Sequence, residues 1–226
     1  MTTRNPKGHG HFVRPLFLLV LASLIALPLG CDAPARLSPL AADAVILAFG
    51  DSITHGTGSA GFGTVDPKAS YPAQLQTLIG RTVIESGIPG ETSDTGLARL
   101  RETLPTLHPT LVILCHGGND MLRNTPEAQI ERNLRAMIQL IREADADVLL
   151  VAVPHPGFAL RPAPLYDNVA KDLHVVLERD ILATILADTT LKSDPLHPNA
   201  RGYALLADAI ARRLVEAGAV ERPSQP

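Results

Sequence analysis

Residues 45–49 read VILAF, an unbroken apolar run that stops at Gly50 and is followed at once by Asp51 and Ser52. A run this short, with no polar alternation, is the pattern of a strand buried on both faces, as in a parallel sheet covered by helices. That constrains the rest of the chain, because parallel strands are joined through crossovers long enough to hold a helix. The sequence that follows supplies them. Residues 54–70 carry four glycines and Asp66-Pro67, a loop signal. Residues 71–79 have a helical apolar pattern, and 82–84 begin a second strand. A helix over 92–104 places Leu97, Leu100 and Leu104 on one face, and 111–115 form a third strand. Residues 126–144 give the clearest helix, with Pro126 at its first position and Ile130, Leu134, Met137, Ile138 and Ile141 at helical spacing. A fourth strand over 148–153, a short fifth over 174–177, and helices over 181–186 and 200–217 complete the alternation. The pattern predicts an α/β domain built on a parallel sheet.

The first 43 residues lie outside this alternation. Arg4, Lys7 and Arg14 are the only charged residues among the first thirty, and they precede an apolar stretch over 16–29 broken only by Ser23 and Pro28. A positive segment followed by an apolar one of this size is a secretory signal, short of the roughly 20 residues that cross a bilayer. It ends in Leu27-Pro28-Leu29-Gly30-Cys31. This resembles the lipobox of bacterial lipoproteins, with Pro28 where the lipobox prefers leucine. The resemblance implies a lipoprotein signal peptide over 1–30 and a lipid on Cys31. It also implies secretion across the inner membrane and anchorage in the cell envelope, facing the periplasm. Ordinary signal cleavage, with Cys31 a chance residue, is the alternative. Asp32 resembles the signal that keeps enterobacterial lipoproteins on the inner membrane. Residues 32–43 hold two prolines and no regular period, and read as a tether of at most about 40 Å. With Cys31 lipidated and Cys115 inside an apolar run, no intrachain disulfide is expected. Without the three N-terminal cations the chain has 17 basic against 23 acidic side chains, so no nucleic-acid partner is expected. At 46% hydrophobic the remainder is a folded domain, expected over 44–218 with a tail over 219–226.

Ligands of open α/β sheets bind beyond the carboxyl ends of the strands. Four groups of residues fall there or close the fold: Gly50-Asp51-Ser52; Gly90, within 87–93; Gly117-Gly118-Asn119-Asp120; and Asp194 to His197. They are the parts that acyl transfer needs. A serine hydroxyl becomes a nucleophile when an imidazole takes its proton, and a carboxylate fixes the tautomer of that imidazole. Ser52, His197 and Asp194 would fill these roles. The N–H groups of Ser52 and Gly90 and the Asn119 amide would form the oxyanion hole. Asp51 and Asp120 read as braces for their loops. His55, His108, His155 and His174 read as surface or packing residues, and no histidine pair stands at metal-ligand spacing.

These four blocks, in this order, resemble the SGNH hydrolases, also called the GDSL esterase/lipase family. The likeness runs from about 44 to 217. It is closest to the arylesterase and thioesterase/lysophospholipase branch through GETSDTGLARL (90–100), GGNDMLR (117–123) and KSDPLHPNARGY (192–203). The family implies a flavodoxin-like three-layer α/β/α sandwich with a five-stranded parallel sheet, and no metal or cofactor. Two positions depart from it. Glu85 stands where related sequences usually have asparagine, which would alter the bonds holding the Gly90 turn. His116 stands where close relatives often carry an aliphatic residue, either tuning the pocket or packed as a neutral histidine.

The segment 154–168 (PHPGFALRPAPLYDN) follows the fourth strand. It offers Phe158, Leu160, Leu165 and Tyr166 either as one wall of an acyl pocket or as a connection packed onto the sheet. The expected activity is hydrolysis of carboxylic esters or thioesters of acyl chains, with a small acyl ester as substrate. A carbohydrate acetylesterase and a non-catalytic lipid-binding lipoprotein are the alternatives.

Overall fold

The structure, a computed structural model, describes residues 1–3, 34–157 and 160–221. Residues 4–33, which hold Cys31 and most of the segment expected as a signal, and Phe158 therefore lie outside the described residues. Strands β1 (Val45–Gly50), β2 (Thr82–Gly87), β3 (Leu111–Cys115), β4 (Asp147–Val151) and β5 (Val176–Glu178) form one parallel sheet in the order β2-β1-β3-β4-β5. The helices are α1 (Ser52–His55), α2 (Tyr71–Ile79), α3 (Ser93–Leu107), α4 (Gly118–Leu122), α5 (Glu127–Glu143), α6 (Pro164–Leu173), α7 (Ile181–Ala187) and α8 (Ala200–Glu216). One group, α2, α7 and α8, packs on one side, and α3, α5 and α6 pack together on the other. This is the flavodoxin-like order of a doubly wound α/β/α sandwich, whose switch point lies between β1 and β3.

The unbroken apolar runs occupy the middle of the sheet. Ile46 to Phe49 and every residue of β3 have no exposure at all. The edge strand β2 is more open: Val83 is its one buried residue, and Thr82 and Glu85 are exposed.

Differences from the expected elements have identifiable causes. Helix α3 runs past Leu104 through Pro105. A proline in the last turn forfeits one hydrogen bond, and buried Leu104 with half-buried Leu107 holds that turn. Pro126 caps α5 instead of opening it. The second half of the 154–168 connection is helical: α6 starts at Pro164, where the fixed proline φ suits a first turn, and buries Leu165, Tyr166, Val169 and Ala170 at helical spacing. Leu165 and Tyr166 are thus core residues and do not line a pocket.

The segment expected as a tether is also part of the fold from Pro34 onward. Leu37 and Leu40 are buried, and their N–H groups donate to the carbonyls of Ala217 and Ala219, so both ends of the domain pack side by side. Ala219, assigned to the tail by its position, is buried in the same place.

Candidate active site

The carboxyl ends of β1, β2 and β3 lie level with one another, Gly50 pairing with Gly87 on one side and Cys115 on the other. Each leads into one of the blocks singled out in the sequence. After β1 the chain turns directly into α1, whose N-terminus Asp51 caps by accepting from the Ile53 N–H at 3.0 Å. Ser52 is the first residue of that helix and is half-buried.

His197 and Asp194 reach Ser52 from the loop ahead of α8. Asn199 caps α8, its side chain accepting from the N–H groups of Arg201 and Gly202. The His197 carbonyl accepts from the Ser193 N–H, closing a tight turn over the intervening residues. Within it the Asp194 carboxylate takes the Leu196 N–H at 2.8 Å and the His197 N–H at 3.0 Å, and lies 2.8 Å from His197 Nδ1. The other ring nitrogen, Nε2, lies 3.0 Å from Ser52 Oγ. Burial opposes ionisation of Asp194, but the Leu196 N–H and the His197 imidazole outweigh it and hold the carboxyl below its usual range. The carboxylate places the Nδ1 proton between itself and the ring, which leaves the Nε2 lone pair facing the hydroxyl. An imidazole so placed can take the serine proton and return it.

The residues expected to supply the oxyanion donors, Ser52, Gly90 and Asn119, all line one cavity. Ile88-Pro89-Gly90-Glu91 forms a turn closed by the Glu91 N–H on the Ile88 carbonyl, with Gly90 at φ +80°. Proline second and glycine third are what a type II turn requires, and such a turn faces the Gly90 N–H outward. Neither that N–H nor the one of Ser52 has a partner among the described residues. Asn119, one residue into α4, lies close by, but its Nδ2 already donates to Asp51 Oδ2 at 3.1 Å and to the Glu91 carbonyl at 3.0 Å. Its amide is aimed by two acceptors, and one of those bonds must be shared when a substrate oxygen arrives. Asp120 faces away from the site, its carboxylate accepting from the Ser93 N–H and hydroxyl at the start of α3. Asp51 and Asp120 are therefore braces, as expected; complete burial pushes the Asp51 carboxyl above its ordinary range.

Ser52 and His197 open into a cavity of about 310 Å³. Its walls are apolar: Leu122, Val153, Leu160, Leu182, Leu186 and Leu196, with prolines 89, 154, 156 and 195. Of the four side chains proposed from the sequence for this wall, Leu160 is present, Leu165 and Tyr166 are in the core, and Phe158 is outside the described residues. From the glycine-rich segment 54–70 only Thr57 contributes. Leu182 and Leu186, from α7, escaped sequence reasoning because nothing local marks a helix face as a pocket wall. Among the described residues no group of three or more histidine, cysteine, aspartate or glutamate side chains is placed to hold a metal ion.

Sequence reasoning also missed the layer beneath the site. Glu91 is clamped by Arg99, whose Nε and Nη2 donate to its two carboxylate oxygens at 2.8 and 2.5 Å, and by His116 Nε2 at 3.1 Å. The available signal was a base eight residues after an acid, with Glu91 just ahead of α3 and Arg99 within it. Glu85 takes part differently: it accepts from the Gly87 N–H at 2.6 Å, tying off the end of β2. Burial opposes the Glu91 charge, yet the Arg99 and His116 bonds bring its carboxyl from 4.5 down to about 2. A lowered carboxylate stabilises the fold above its unfolded value and loses that stabilisation as pH falls through the folded one. Between pH 6 and pH 3 the protein should therefore lose about 2 kcal/mol more stability than its Glu91→Gln variant, as read from urea midpoints. Equal losses would show that the carboxylate is not held this way.

Residues 48–205 match the GDSL-like lipase/acylhydrolase family, a span that contains all four blocks. The chain is 31% identical over 182 residues to thioesterase 1/protease 1/lysophospholipase L1 of Escherichia coli, covering 77% of this chain and 85% of that protein. It is 32% identical over 183 residues to an arylesterase of Vibrio mimicus, covering 76% and 88%. The crystal structure of TesA superposes with a TM-score of 0.67 at 28% identity, over 76% of this chain and 99% of that one. The chain belongs to the GDSL-like lipase/acylhydrolase family, the SGNH hydrolases, and is an ester hydrolase of that type.

Proposed function

We propose that this hydrolase cleaves carboxylic esters and thioesters of medium acyl chains, with Ser52 as nucleophile, His197 as general base and acid, and Asp194 as the group that orients His197. Ser52 Oγ attacks the acyl carbon as its proton passes to His197 Nε2. The carbonyl oxygen becomes an oxyanion facing the N–H groups of Ser52 and Gly90 and the Asn119 amide. Collapse of the tetrahedral intermediate expels the alcohol or thiol, which takes the proton from His197. Water then repeats the sequence in reverse, releasing the acid and restoring Ser52. The observation that carries this reading is the hydrogen-bonded series Ser52–His197–Asp194 at the mouth of a cavity walled by apolar side chains. Thioesters and lysophospholipids belong in the proposed range because the E. coli relative is named for both.

The chain is further proposed to be exported and lipid-anchored at Cys31, a reading supported by the charge and apolar pattern of 1–30 alone. Cys31→Ser should then appear in the soluble fraction of fractionated cells, and retention in the membrane fraction would refute the anchor.

Ser52→Ala and His197→Ala should each lower kcat by several orders of magnitude with the thermal transition unchanged, because the residues act as one unit. Ser52→Ala should also lose labelling by a fluorophosphonate. Ordinary activity in Ser52→Ala would end the mechanism.

The apolar walls generate a chain-length expectation. Each methylene buried against them is worth about 0.8 kcal/mol, so lengthening an ester from acetate to hexanoate should raise kcat/KM by up to about a hundredfold. Leu160→Ala should flatten the rise. A p-nitrophenyl ester series on the domain from Pro34 measures it. A profile that falls beyond acetate would replace the acyl pocket with an acetylesterase site.

A further inference from the structure

His116 has no exposure and is not among the residues lining the Ser52 cavity, yet it is bonded to both segments that carry the oxyanion donors. On one side its Nε2 meets the Glu91 carboxylate at 3.1 Å. Glu91 follows Gly90 directly, and its own carbonyl accepts one of the Asn119 Nδ2 bonds. On the other side His116 Nδ1 receives the Gly117 N–H at 3.2 Å, where β3 turns toward Asn119. That bond requires a lone pair on Nδ1, so the proton sits on Nε2 and is donated to Glu91. The His116 carbonyl is fixed in turn by the Tyr166 hydroxyl at 2.7 Å. The ring lies against Gly96 of α3, where a Cβ would come within 2.3 Å of Nε2, so the helix leaves the space that the imidazole fills.

An aliphatic residue in that place could fill the space but could not bond to either segment. We propose that His116 is a positioning residue for the oxyanion side of the site, its imidazole setting the spacing between the Gly90–Glu91 turn and the Gly117–Asn119 turn. It does so through two hydrogen bonds, one given and one received, and reaches the substrate only through Asn119 and Gly90. This inference rests on the esterase reading, since the donors it positions are those of that mechanism.

The test compares variants on a p-nitrophenyl ester, with rates counted per Ser52 titrated by a fluorophosphonate so that unfolded protein does not register. His116→Leu keeps bulk and removes both bonds. It should lower kcat about tenfold with KM unchanged, less than the hundredfold or more lost when an oxyanion donor is removed outright. His116→Gln carries an N–H where Nε2 stands and should recover most of the rate. In an Asn119→Ala background, His116→Leu should add less than a twofold further loss, because the main donor it positions is gone. Should His116→Leu not fold, His116→Asn, too short to reach Glu91, carries the same expectation. A change confined to KM, equal losses in the Leu and Gln variants, or full multiplication with Asn119→Ala would overturn the positioning role. A wild-type protein that neither turns over ester nor labels at Ser52 would instead overturn the esterase reading beneath it.

Discussion

The Arg99 guanidinium is where three separate pieces of backbone are made into one surface. Nη2 donates to the Gly50 carbonyl at the end of β1, Nη1 to the carbonyl and hydroxyl of Ser86 near the end of β2, and the remaining donor edge grips Glu91. Its carbon lies 3.9 Å from the centre of the Phe49 ring, so the flat face of the cation is covered by an aromatic one. A planar group with five fixed donors can serve two strand ends and a carboxylate together; the point charge of a lysine cannot. The partly buried ion pair is sustainable because the carboxylate is well bonded, with Arg99 and His116 supplying three donors between them.

Everything nearer the substrate inherits its position from that layer. Ser52 sits where it does because β1 ends level with β2 and β3, and Asp51 converts that end into a helix cap. Asn119 is aimed by acceptors from two other segments, Asp51 and Glu91. The geometry is preorganised by backbone and buried polar bonds, so little has to reorganise when charge develops on a substrate oxygen.

The parts legible in the sequence are those with a local cause. The run 45–49 and the Gly50-Asp51-Ser52 turn announce a buried strand and its end; Pro89-Gly90 announces a turn with an outward N–H; Asp194 and His197 lie close enough along the chain for one to orient the other. What escaped has a distant cause. The PLYDNVA stretch beginning at Pro164 looks like the tail of a proline-rich loop until its apolar spacing is counted separately from 154–163. The residues 34–43 have no period of their own, and only their partners at Ala217 and Ala219 give Leu37 and Leu40 a reason to be buried. His116 looked like an isolated substitution because Glu91, Gly96 and Tyr166 come from three other parts of the chain.

The clasp between 37–40 and 217–219 has a consequence for geometry. Helix α8 starts beside His197 and runs 17 residues back along the sheet, about 25 Å, to reach that clasp. The chain therefore enters and leaves the domain at one pole, while the cavity opens at the other. A change made ahead of Pro34 acts at the far end of that helix from Ser52. The mouth receives its substrate from the hemisphere that faces away from the point of entry.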